Sequence, residues 1–302
     1  MSSPNVSKLP APPAALVSTN RSDIYEATSP LHALSGAAKG LSVLVTGSGR
    51  GCGRAEAIAF AQAGAKKIVL TARTRTELDE VKARIDEEGK ETEVIVVEAN
   101  ITNPESVEKL FEQAGELDVL VNNAGYLEKQ ALIRDSNPED WLRTNRINID
   151  GTYLCTRAFL RAAHNGGLIN DSGRKLTIIN TTSLGSALTS PGYSSYQPGK
   201  TMVNRFTEFI HFEEPAVRTF AIHPGGVQTK LATGHPFDLP DQPELAAGLA
   251  LWLATQDKAD FLRGKYVSAN WDVDELIAKK DEILKGDLLW TRVVGQASAV
   301  PK

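Results

Sequence analysis

The chain has 302 residues, 41% hydrophobic and 23% charged, with a formal net charge of −4. That acidic balance, with a pI near 5.8, speaks against a nucleic-acid footprint or a polybasic membrane contact. Two cysteines, Cys52 and Cys155, are too few for a disulfide framework and suit a reducing compartment.

No stretch approaches the roughly 20 apolar residues of a spanning helix. The start, Met1-Ser2-Ser3-Pro4-Asn5, lacks the basic and apolar regions of a secretory signal, so a cytoplasmic protein is expected. Residues 1–37 are rich in Pro, Ser and Ala and read as an N-terminal extension. Residues 38–302 then read as a single domain, with a C-terminal tail from about 274. The apolar run Leu41–Thr46 ends in glycines and is followed by helical spacing at Ala55, Ile58, Ala59 and Ala63. Strand-like runs recur at 67–71, 94–97, 119–121, 176–179 and 219–222, with helical stretches between them, such as 77–88 and 104–114. Continuous apolar strands alternating with helices predict an α/β fold. Its form is a single doubly wound parallel sheet, Rossmann-like, with helices on both faces.

The first strand-to-helix turn is Thr46-Gly47-Ser48-Gly49-Arg50-Gly51-Cys52-Gly53. Glycines there let the backbone approach a pyrophosphate, while the helix N-terminus supplies N–H donors and a positive dipole end. Glycines also serve ordinary turns, so position carries this reading: a strand precedes and an Ala-rich helix follows. NAD sites usually place an acid after the second strand, against the ribose 2′-hydroxyl. Here that segment reads Leu70-Thr71-Ala72-Arg73-Thr74, without a carboxylate. Arg73, with Arg50 from the glycine loop, suits a 2′-phosphate, which favours NADP(H) and leaves NAD(H) as the alternative.

Four further features follow in order. Asn122-Asn123-Ala124-Gly125 succeeds a strand, and Asn148-Ile149-Asp150-Gly151 opens a helical run. Ser183 lies 13 residues before Tyr196, and Lys200 four after it. Pro224-Gly225-Gly226-Val227-Gln228-Thr229 succeeds another strand. Taken singly, each is commonly a turn, a cap or a surface pair; the ordered set is specific. It resembles the short-chain dehydrogenase/reductase superfamily, in its compact single-domain branch, over roughly residues 38–271. The wording of 220–227 and 266–272 is similar to fungal members, which often act in specialised metabolism.

Residues four apart share a helix face, so Lys200 lies beside Tyr196 and is expected to favour its phenolate. The resemblance implies a ketone/alcohol oxidoreductase with the catalytic set Asn148, Ser183, Tyr196 and Lys200. Tyr196 exchanges the proton, Ser183 hydrogen-bonds the substrate oxygen, Asn148 holds a water in a proton relay, and Lys200 also binds the nicotinamide ribose. Pro198 is compatible, because proline is tolerated in a helix's first turn. The resemblance further assigns Gly47, Ser48, Arg50, Gly51, Cys52, Gly53, Arg73, Asn100, Asn123, Ala124, Gly125, Pro224, Gly225, Val227 and Thr229 to the cofactor. Asn100 stands where the family commonly has Asp.

Substrate candidates are Leu184, Ser186 and Tyr193, with His235, Phe237 and Leu239 from the 231–239 stretch; core or lid packing explains the last three equally well. No histidine or cysteine spacing suggests a metal. Cys52 reads as a small apolar group beneath the cofactor rather than a reactive thiol. A homodimer or homotetramer is expected by resemblance, and no nucleic-acid or membrane partner. The rival from another class is a catalytically idle, cofactor-sensing binding protein.

Overall fold

The computed structural model describes residues 16–88, 91–170, 173–232 and 239–293. Side-chain alternation along the strands builds its layers. In β1 (Ser42–Thr46), Val43 and Val45 join one buried cluster while Leu44 joins the other. The same split separates Ile68 and Leu70 from Val69 in β2 (Lys67–Ala72). It also separates Val119 and Val121 from Leu120 in β4 (Val119–Asn122). Because both faces are covered, the strands read as unbroken apolar runs.

On the first face lie α1 (Gly51–Gln62), α2 (Arg75–Glu87) and α7 (Pro243–Thr255). On the second lie α3 (Pro104–Ala114), α5 (Gly151–Asn165) and α6 (Tyr196–Glu213). Small residues at Ala55, Ala59 and Ala247 allow α1 and α7 to approach closely. With β3 (Glu93–Glu98), β5 (Thr177–Thr181), β6 (Arg218–His223) and β7 (Tyr266–Ser268), the sheet has seven strands, all parallel, in the order β3-β2-β1-β4-β5-β6-β7. The order reverses between β1 and β4, and the crevice at such a switch point is where α/β sheets bind ligands.

Three features depart from the sequence reading. Strand β7 spans three residues, too few for periodicity to show. Asn148 does not open a helix. It sits in a π-turn (Arg146–Asp150) inside a continuous run that begins with α4 (Pro138–Asn145) and passes into α5. Single π-turns of this kind are frequent at functional sites. The described end of the C-terminal tail lies away from the four expected catalytic residues. Thr291 N–H and Arg292 Nη1 donate to Glu208 of α6 at 2.7 and 2.9 Å, and Trp290 stacks on Phe212. Glu208 is 12 residues along α6 from Tyr196, about 18 Å at helical rise.

The described start of the chain runs along α8 (Val273–Ala278) and α7. Ser18 N–H donates to Glu275 at 2.6 Å, Arg21 pairs with Asp272 at 2.7 Å, and Gln242 N–H donates to Ser22 O at 2.8 Å. No described helix is long and apolar enough to cross a membrane.

Candidate active site

The crevice at the β1/β4 switch is built from two turns that hold each other. Asn123 Nδ2 donates to Thr46 O at 2.9 Å, while Thr46 Oγ1 accepts the N–H groups of Asn123 and Ala124 at 3.0 and 3.1 Å. Gly47 and Gly51 adopt φ of +67° and +56°, a region that disfavours side chains. A Cβ on Gly53 would lie 2.3 Å from Asn123 Nδ2, so only glycine fits between the turns. Arg50, the N-cap of α1, makes no side-chain bond to the first-turn amides. Those donors and the dipole end face the crevice, which is the donor set a pyrophosphate requires.

At the adenosine end the expected residues are differently placed. Arg73, just past β2, is exposed and makes no ion pair among the described residues. Arg50 is engaged: its Nη1 pairs with Glu77 of α2 at 2.8 Å, in a half-exposed bridge. Ser48 turns inward, its Oγ accepting Thr71 N–H at 2.9 Å, so its side chain anchors β2 rather than facing the crevice. Asn100 Oδ1 accepts from both the N–H and the hydroxyl of Thr102, at 3.1 and 2.9 Å.

Two of the four expected catalytic residues, Asn148 and Lys200, meet beside Gly125. A Cβ there would lie 3.1 Å from Asn148 Oδ1 and 3.7 Å from Lys200 Nζ. The Asn148 amide is fixed by Tyr126: Nδ2 donates to its carbonyl at 2.6 Å and Oδ1 accepts its N–H at 3.2 Å. Lys200 is buried and donates to Thr181 O at 2.7 Å; burial brings its ammonium down to about 8. Ser183 faces the Tyr196 phenol closely enough to favour its ionisation. The Lys200 ammonium does not by itself lower the Tyr196 phenol. Burial raises it, outweighing the effect of Ser183, and Glu128 and Cys52 raise it further. Lys200 Nζ lies 5.6 Å from the ring centroid and donates to the Thr181 carbonyl.

Beyond β6, Val227 packs with Cys52 and Ala246, and Thr229 Cγ2 lies 3.1 Å from where a Gly51 Cβ would stand. Burial pushes the Cys52 thiol up to about 12, with Glu56 adding to the effect, so it sits there as a small apolar group. Leu184 is half exposed and Tyr193 is buried. Ser186 turns away from the crevice, its Oγ accepting from Asn204 Nδ2 at 2.9 Å. Leu231 Cδ1 lies 3.6 Å from the Gly125 Cβ position, which puts it over Asn148 and Lys200. His235 and Phe237 lie outside the described residues.

Two acids escaped sequence reasoning. Asp241 clamps the Pro-Gly-Gly turn: its Oδ2 accepts Gly226 N–H at 2.6 Å and Asn270 Nδ2 at 2.8 Å. Glu128, in the loop after β4, accepts the N–H groups of Ser195 and Tyr196 at 2.9 and 3.0 Å. The second contact spans 68 positions, so no local pattern announces it.

Comparison with known proteins agrees with this geometry. A sequence model described as short chain dehydrogenase matches residues 42–236. The chain is 41% identical over 273 residues to the short chain dehydrogenase mpl6 of Monascus purpureus, covering 84% of this chain and 89% of that one. It is 35% identical over 297 residues to the short chain dehydrogenase pigC of Monascus ruber, covering 92% and 94%. Its fold resembles that of a Brucella melitensis 3-ketoacyl-(acyl-carrier-protein) reductase complexed with NADH. There the TM-score is 0.68, at 28% identity, over 76% of this chain and 96% of that one.

Proposed function

This chain belongs to the short-chain dehydrogenase family, an oxidoreductase family, and from that premise we propose that it interconverts a ketone and a secondary alcohol with NADP(H). The observation that carries this reading is the meeting of Tyr196, Lys200 and Asn148, with Lys200 Nζ 5.6 Å from the Tyr196 ring centroid, buried and held by Thr181 O, and the glycine-rich turn across the crevice. A bound nicotinamide supplies the carbon that gives or takes the hydride, and in its oxidised form brings positive charge into the crevice. Tyr196 gives its proton to the carbonyl oxygen in reduction and takes it back in oxidation. Ser183 stabilises the developing negative oxygen with a hydrogen bond. Lys200 and Asn148, meeting beside Gly125, return the proton toward solvent.

The arginines support NADP(H) over NAD(H). Arg73 is free to meet a 2′-phosphate, and Arg50 stands within reach of the same region once it leaves Glu77. The fungal wording of the motifs points to a small specialised metabolite as substrate. Exposed Tyr153 on α5, with Met202 and Phe209 on α6, supports a homodimer or homotetramer paired through those helices. We place it in the cytoplasm.

The test incubates the purified protein and NADPH with a host metabolite extract, reading two-hydrogen mass changes. Tyr196→Phe should lower turnover by roughly a hundredfold or more. Near-wild-type turnover of that variant would remove Tyr196 from its role, and NADH binding as tightly as NADPH would remove the cofactor assignment.

A further inference from the structure

Glu128 is 6% exposed, yet no charged partner faces it among the described residues. Its Oε1 accepts two amide protons, from Ser195 and Tyr196, and its Oε2 is buried without a protein partner. Those amides begin α6, an 18-residue helix. Its N-cap Ser195 gives no side-chain cap, because the Ser195 hydroxyl donates to Trp141 O instead. A buried carboxyl group is costly unless donors surround it, and a helix start supplies amides and a positive dipole end. Glu128 therefore takes the place of the missing cap from a distant loop, and in doing so lies against the catalytic tyrosine.

We propose that Glu128 is a positioning residue for Tyr196: its carboxyl group fixes the start of α6 through the Ser195 and Tyr196 amides, and from there acts on the phenol that exchanges the proton. Four groups face that phenol. Ser183 comes from the turn after β5, Cys52 from α1, Lys200 from α6 itself and Glu128 from the loop after β4. The Cys52 thiol is held neutral by burial, and the Lys200 ammonium is turned to the Thr181 carbonyl. Glu128 is thus the carboxyl group of the set, and it opposes loss of the Tyr196 proton alongside burial, which is the larger influence. The consequence is a tyrosine kept protonated until a positive charge enters the crevice.

The functional meaning rests on Tyr196 as proton donor, but the measurement does not. Protein carrying 3-fluorotyrosine, whose phenol titrates at lower pH than tyrosine's, is titrated by fluorine NMR without substrate or cofactor, with Tyr196→Phe assigning the signal. Glu128→Gln keeps the acceptor oxygen and removes the ionisable group. Its Tyr196 midpoint should fall by about one pH unit, with Ser195 and Tyr196 amide protection against hydrogen exchange unchanged. In Glu128→Ala those two amides should exchange roughly tenfold faster or more. An unmoved or raised midpoint in Glu128→Gln overturns the proposal, as does unaltered exchange in Glu128→Ala. If the alanine variant does not fold, the glutamine titration decides alone. A shifted midpoint in a protein whose Tyr196→Phe variant keeps its turnover would leave the positioning intact and remove only the catalytic reading.

Discussion

A single side chain alters what the adenosine end of the crevice offers. Glu77 reaches from the first turn of α2 to the glycine loop, where a Cβ on Gly49 would lie 2.9 Å from its own Cβ. It holds Arg50 through two contacts, at 2.8 and 3.1 Å. A 2′-phosphate recruiting Arg50 must first displace that carboxylate. The bridge is half exposed, so its loss costs only about 0.2–1 kcal/mol. Glu77→Gln should therefore tighten NADPH binding by about twofold to fivefold and leave NADH nearly unchanged. Calorimetric titration with both cofactors reads this directly; equal effects on the two would show that Arg50 does not meet the phosphate. Arg73, which has no carboxylate to leave, should behave differently: Arg73→Ala should weaken NADPH by about tenfold, and NADH by much less.

At the scale of an element, α1 carries an acid in a place where an acid is costly. It is buried on nearly all sides, because the sheet lies beneath it and α7 alongside. Glu56 is fully buried within it, and neither carboxyl oxygen has a protein partner. Burial pushes this acid up to about 8. At neutral pH the folded protein then holds a proton that the unfolded chain has released. Stability contributed by that proton is present in acid and falls as pH rises from the ordinary carboxylate value toward 8, by about 1.4 kcal/mol per pH unit. Glu56→Gln, neutral throughout, should lose this slope and gain on the wild type between pH 5 and pH 8. Urea denaturation at the two pH values is the measurement; parallel changes in both proteins would show that Glu56 is already ionised.

Across the whole molecule, the described start of the chain meets the entry to α8 at Asp272. Its Oδ2 accepts from Arg21, while its Oδ1 accepts the N–H groups of Asp274 and Glu275 and so caps α8. Although burial disfavours its charge, the Arg21 guanidinium and the two amides hold the carboxyl below its ordinary range. Arg21 O also accepts from Asn270, which in turn donates to Asp241 and thus braces the Pro-Gly-Gly turn. Asp272→Ala removes both the cap and the partner of Arg21, and should cost about 2 kcal/mol at pH 7. Since the folded acid titrates below the unfolded one, its contribution is complete above the unfolded value and fades as pH falls through the folded value. The gap between wild type and Asp272→Ala in urea midpoint should hold from pH 7 to 5 and narrow near pH 3.

The sequence by itself determined the layers and the family. Alternation in Val43-Leu44-Val45 and its counterparts requires a sheet covered on both faces. The spacing of Tyr196 and Lys200 is local enough to read, since a helix puts residues four apart on one face. What the tertiary structure decided is every contact whose partners lie far apart in the chain. Glu128 on the start of α6, Glu77 on Arg50 and Asp241 on Gly226 each join separate elements, and no periodicity encodes such a meeting. The π-turn at Asn148 belongs with them, because the spacing alone reads there as a helix start. The charge around Tyr196 is likewise a product of packing. Residue types name the groups that can ionise, but burial and distance set which of them face one another, and so which way the proton is held.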